Sequence, residues 1–284
     1  VLDVSFNVLD FLVETDISQL GRTCASSRLS VLAYAQQTKL FCLSTLQVWE
    51  PYKRNYVRRV SADIWSTEAI LPEFLRELIF GDTFDQPLEG LLPASLRQLT
   101  FGQSFNQPLC EIALPANLEQ LTLGYAFNQP LRKETFLGKN LERITFGYAF
   151  NQPLLEGVLP VGLKHLSLGA RFNQSRSSLF LPKSLIQLVF GEDFNQPLTK
   201  GVLPSGLEKL IFGANFNQLL SAGTLPASLT DLKFGYFFNQ ILSEGVLPER
   251  LTQLSFGFEF NQPLTKGVLP SGLEKLIFGA NFNQ

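Results

Sequence analysis

The stretch Phe194-Asn-Gln-Pro-Leu-Thr-Lys-Gly-Val-Leu-Pro-Ser-Gly-Leu-Glu-Lys-Leu-Ile-Phe-Gly-Ala-Asn-Phe-Asn-Gln218 returns letter for letter at residues 260–284. Looser copies fill the chain between and before these two. A unit that repeats this closely is one structural module stacked on its neighbours, not a catalytic apparatus. Its marker, Gly-x-x-Phe-[Asn/Asp]-Gln, starts at Gly81, Gly102, Gly124, Gly147, Gly169, Gly191, Gly213, Gly235, Gly257 and Gly279. Successive spacings are 21, 22, 23 and then 22 throughout, which leaves little room for an inserted domain.

Within a rung, the apolar residues Leu207, Leu210 and Phe212 alternate with polar ones, as a half-buried strand requires. The third position, counted from Leu207, is polar in every copy, running from Glu77 to Lys275 and including Arg143 and His165. The fifth is mostly β-branched, for example Ile79, Thr100, Val189 and Ile211, which favours strand over helix. Prolines at the equivalents of Pro197 and Pro204, with glycines such as Gly191 and Gly201, argue against a helical connector. Phenylalanine forms two columns, one before Asn (Phe84 to Phe282) and one directly before the turn glycine (Phe80 to Phe278). Together they hold 18 of the 26 phenylalanines, so the rings are expected to stack down an interior. The Asn and Gln columns are read as structural, forming a ladder or satisfying turn backbone, with Asp85 replacing the first Asn. The expected fold is a β-rich solenoid of about ten 22-residue rungs over residues 71–284, behind a small α-helical head.

Composition narrows the function classes. Net charge is −2, so no global basic field attracts nucleic acid or anionic lipid. No apolar run reaches the roughly 20 residues of a membrane span. Residues 1–16 carry four carboxylates and no Lys or Arg, the reverse of a basic leader. Cys24, Cys42 and Cys110 show no C-x-x-C spacing, so a reducing, cytoplasmic setting without disulfide framework or zinc site is expected. The one histidine, His165, sits at an outward strand position, and the carboxylates are dispersed singly. No catalytic set, cofactor site or metal site can be nominated, and the chain is read as a non-enzyme.

Residues 1–48 lack the repeat marker and are read as two or three short helices. Val8-Leu9, Phe11-Leu12, Asp16-Ile17, Leu20 and Cys24 resemble the F-box pattern of a hydrophobic pair, Phe-Leu, an Asp-Leu-type step, Leu and Cys. The family's opening Leu-Pro is missing, and its basic–aromatic ending is replaced by Ala25-Ser26-Ser27-Arg28. The resemblance implies docking of a Skp-type ubiquitin-ligase adaptor through Leu9, Phe11, Leu12 and Ile17. The competing reading is a helical cap on the first rung. Residues 49–70 form a linker in which Lys53, Arg54, Arg58 and Arg59 interleave with Tyr52 and Tyr56. That is weak support for nucleic-acid binding, and a solvated linker is the better reading.

The unit Phe-Asn-Gln-Pro-Leu…Gly-x-Leu-Pro-x-x-Leu-x-x-Leu-x-Phe-Gly resembles the FNIP repeat, with Gln in place of the Ile of Phe-Asn-Ile-Pro. Ser175, Leu219 and Ile241 replace the first proline, and Gly138 replaces the second. The resemblance implies a leucine-rich-repeat-like solenoid and, with an F-box in front, a substrate-recruiting adaptor. The alternative is a structural or scaffolding repeat protein. On either reading the partner is a protein, and variation among rungs marks where it binds. Tyr125, Tyr148, Tyr236 and Phe258 follow turn glycines, and with Arg143, His165 and Arg171 they form the candidate patch. The strand near Leu273–Phe278 lacks a following rung, so self-association through that edge is also expected.

Overall fold

The computed structural model describes residues 41–42, 59–62, 71, 73–88, 92–136 and 140–284. Among them, twelve strands form one parallel sheet whose order is the chain order. They are β1 (Phe41–Cys42), β2 (Arg59–Ala62), β3 (Glu77–Phe80), β4 (Gln98–Thr100), β5 (Gln120–Thr122), β6 (Arg143–Thr145), β7 (His165–Ser167), β8 (Gln187–Val189), β9 (Lys209–Ile211), β10 (Asp231–Lys233), β11 (Gln253–Ser255) and β12 (Lys275–Ile277). Register is one full rung: Lys209, Leu210 and Ile211 lie beside Asp231, Leu232 and Lys233. The middle residue of β9 is buried and its neighbours are not, so period-two alternation decides which face meets the core.

The sheet begins ahead of the first marker. β1 pairs with β2, and β2 with β3, within segments that the sequence alone suggests are head and linker. Arg59 of the basic run is therefore a strand residue. These two strands lack the Gly-x-x-Phe-Asn-Gln marker, so the repeat pattern does not point to them. Leu9, Phe11, Leu12, Ile17 and the rest of the expected helical head lie outside the described residues.

The turn glycines are set by a close approach. A Cβ on Gly213 would lie 1.8 Å from the Gly191 carbonyl oxygen, and the same contact recurs at 1.6–2.1 Å from Gly102 to Gly279. No side chain fits in that column. Further along the rung the chain reverses through Gly201, at φ 87°, and its equivalents Gly157, Gly223, Gly245 and Gly267. Three rungs without such a glycine make a single 3-10 turn instead, at Leu109–Glu111, Lys133–Phe136 and Arg176–Ser178.

Inside, the rings stack as two columns. Phe212 lies 3.8 Å from Phe216 in its own rung and 5.6 Å from Phe190 and Phe234 in the adjacent ones. Phe216 stands 6.1 Å from both Phe194 and Phe238. Parallel strands sit about 4.8 Å apart, so the rungs are wedges that widen away from the sheet. The stack bends with strands on its inner side.

The amide columns form a continuous ladder. Asn217 Oδ1 accepts the Asn239 backbone N–H at 3.0 Å and Gln240 Nε2–H at 2.9 Å. Asn195 does the same for Asn217 and Gln218, and Asn239 for Asn261 and Gln262. The column asks for an acceptor oxygen. Asp85 meets that need, accepting from Asn106 N–H and Gln107 Nε2–H. Asp85 thus fills the same acceptor role as the asparagines, with β1 and β2 ahead of it in the sheet.

Candidate interaction surface

The Gly-x-x-Phe segments are tight turns, and in nine of the ten the Phe N–H donates to the Gly carbonyl, at 3.4 Å for Phe216 and Gly213. The two residues between are corner residues. The turns also bond to one another: the second corner residue donates its N–H to the carbonyl of the first corner residue one rung earlier. Arg171 N–H reaches Tyr148 O at 2.9 Å, Asp193 reaches Ala170 at 2.8 Å, Asn215 reaches Glu192 at 2.9 Å and Phe237 reaches Ala214 at 2.9 Å. Corner side chains therefore run in register along the stack.

The sequence-selected residues fall into separate groups. Tyr125 and Tyr148 stack at 4.5 Å and 2°, and the Arg171 guanidinium lies 5.3 Å from the Tyr148 ring centre. Tyr125 is 53% exposed, so this aromatic–cation row faces solvent. Further along, Tyr236 and Phe258 stack at 5.0 Å and 6°. Phe237 joins them edge-on, 4.7 Å from Tyr236. Arg143 and His165 lie elsewhere, side by side on the outward positions of β6 and β7.

His165 is half-buried rather than plainly exposed, and its Nδ1 is buried without a hydrogen-bond partner. Beside it Lys164 Nζ donates to Glu142 at 2.7 Å. That hydrogen bond, then the lysine charge and to a smaller extent His165, hold the Glu142 carboxyl below the usual carboxylate range.

Between the two aromatic groups lies an open depression of about 590 Å³ lined by Asn151, Arg171, Asn173, Asp193, Asn195 and Asn215. Its walls are the second-corner residues Arg171, Asp193 and Asn215 on one side and the amide-column residues Asn151, Asn173 and Asn195 on the other. Asp193 Oδ1 accepts from Asn215 Nδ2 at 3.1 Å. Sequence reasoning missed Phe237, Asp193 and Asn215. The signal for Phe237 was present: it is the one large apolar residue in a second-corner column that is otherwise small, as at Ala126 and Ala149, or polar, as at Ser104, Asp193 and Glu259. Leu219 and Ile241, 67% and 59% exposed, mark two of the three rungs that have lost the first proline.

Among the described residues no group of three or more His, Cys, Asp or Glu is placed to hold a metal, and no helix is long and apolar enough to cross a membrane. Cys110 is exposed with a free thiol.

A family model described as FNIP Repeat matches residues 67–104, 105–149, 127–160, 150–193, 194–237 and 238–281. Among solved structures the chain is similar to CroV588, described as a novel circular LRR protein, with a TM-score of 0.73 and 43% identity over 81% of this chain. A second similarity is to the TLR13–ssRNA13 complex, with a TM-score of 0.46 and 15% identity over 86% of this chain. In each case the match spans 38% of the other protein's chain. No curated protein matches the sequence.

Proposed function

Because the chain belongs to the FNIP repeat family, whose rungs here build a leucine-rich-repeat-like solenoid, we propose that it is a protein–protein interaction module. The corner residues of the stack are its contact surface. The observation that carries this reading is the surface row of exposed Tyr125, half-buried Tyr148 and exposed Arg171, with its exposed counterpart at Tyr236, Phe237 and Phe258. Aromatic and arginine side chains held rigidly at a surface are the usual anchors of protein interfaces. The finer form of the proposal is an F-box-type adaptor of a ubiquitin ligase. Its head engages a Skp-type adaptor through Leu9, Phe11, Leu12 and Ile17, and its repeats recruit the target. The setting is cytoplasmic, and no catalytic step is assigned to the chain.

Affinity capture from the native host with wild-type protein and with a Tyr148→Ala/Tyr236→Ala double variant tests the surface. The double variant is expected to lose specific protein partners that wild type retains. Identical partner sets would rule out the corner surface. The head is tested separately by direct binding of purified protein to a Skp-type adaptor, which Leu12→Asp and Ile17→Asp should abolish while leaving the circular-dichroism spectrum unchanged. No association at tens of micromolar would leave the scaffold reading. One observation favours that alternative: Phe41–Cys42, inside the segment read as the head, is a strand of the same sheet.

A further inference from the structure

We infer that the row from Tyr148 to Tyr236 is a docking track for one extended polypeptide segment, with two large apolar side chains six residues apart and a basic residue between them. The inference rests on the protein-interaction reading and specifies its partner. The two aromatic stations are four rungs apart on a backbone ladder unbroken from Tyr148 to Phe237. At about 4.8 Å per rung that separation is about 19 Å. An extended chain rises about 3.3 Å per residue, so six residues cover about 20 Å, and an even spacing places both side chains on one face. The stations thus match the first and seventh residues of a strand lying along the stack.

Charge selects what lies between. Glu192 and Asp193 are both exposed at the middle of the track. Asp193 bonds only the neutral Asn215, and neither carboxylate has an ion-pair partner among the described residues. Arg171, the nearby cation, is laid over the Tyr148 ring. A lysine or arginine at the third or fifth residue of the segment reaches these carboxylates from the same face that carries the apolar anchors. The open depression lined by Arg171, Asp193 and Asn215 flanks the middle of the track, so the basic side chain has room to reach Asp193.

The probe is a labelled heptapeptide with tryptophan first and last, lysine third and fifth, and serine elsewhere. Its control is the isomer with the two tryptophans adjacent. By fluorescence anisotropy with the full chain, the spaced peptide is expected to bind at least tenfold more tightly than the isomer. Tyr148→Ala with Tyr236→Ala should erase that preference, and Glu192→Gln with Asp193→Asn should weaken the spaced peptide severalfold. Alanine already occupies the first corner position at Ala170 and Ala214, so these variants keep the fold. Equal affinity for the two peptides overturns the proposal, as does a preference that survives in the double alanine variant. Equal competition by a single-stranded oligonucleotide, or a dimer that the same alanines dissociate, overturns it too by assigning the track to a nucleic acid or a second copy. If the peptide fails while partner capture still depends on Tyr148 and Tyr236, only the extended-segment proposal falls. If both fail, the interaction reading falls with it.

Discussion

Two glycines seven residues apart in one stack have different duties. Gly213 has no room for a Cβ, whereas a Cβ on Gly206 meets nothing closer than the Lys183 carbonyl at 3.7 Å. Other rungs place Ser95, Asn117 and Arg250 at the position of Gly206. Gly213→Ala is therefore expected to cost about 1–3 kcal/mol or more by forcing two rungs apart. Gly206→Ala should be neutral or stabilising by up to about 1 kcal/mol. Urea denaturation of the pair checks both. The amide column makes a similar contrast. Asn217→Ala strands the Asn239 N–H and the Gln240 amide and should cost about 1–3 kcal/mol. Asn217→Asp keeps the acceptor, as Asp85 does, and should cost clearly less. Phe212→Ala removes a ring in contact with Phe216 and flanked by rings above and below. It should cost about 3–5 kcal/mol, and a loss below half a kcal/mol would speak against its burial. Column membership of each of these residues is legible in the sequence, because identity recurs at a fixed period. The atoms used are not. Only the stacked structure shows that Asn serves through its oxygen and that the glycine sits on a neighbour's carbonyl.

At the scale of a strand and its turn, what repeats is legible and what does not repeat is lost. β3 to β12 fall where alternation places them. β1 and β2 carry no marker and read as head and linker. Corner residues are legible one by one, since Tyr125 and Tyr148 stand out in their column. Their grouping is not, because whether Arg171 turns onto Tyr148 or joins His165 depends on side-chain direction at neighbouring turns. The Lys164–Glu142 pair is an element-scale feature, joining the rungs of β6 and β7 across the sheet surface. Its sign is fixed: a carboxylate with a lowered pKa adds stability above the usual carboxylate range and loses it as pH falls through the lowered value. A carbon-detected NMR titration should find the Glu142 midpoint below an ordinary glutamate. Lys164→Gln should return it towards that value, and so should high salt, because the group is exposed.

On the scale of the whole molecule, the rungs are interchangeable parts, and neighbours interact only with neighbours. Deleting residues 191–212 removes one full period and joins Phe190 to Gly213, restoring the Phe-Gly junction and the register. The shortened chain is expected to keep its β circular-dichroism spectrum and unfold with a smaller denaturant slope, because less surface is exposed. Deleting residues 191–201 breaks the period and should leave an aggregating product. The turn bonds have a further consequence. In the turn ladder and the amide column every donor belongs to the later rung and every acceptor to the earlier one. These dipoles add instead of cancelling, as they do along a helix axis. The turn side of the solenoid is thus electrically polarised along its length. Wherever the stack is cut, the newly exposed later-facing side offers oxygens that draw cations, and the earlier-facing side offers N–H groups that draw anions.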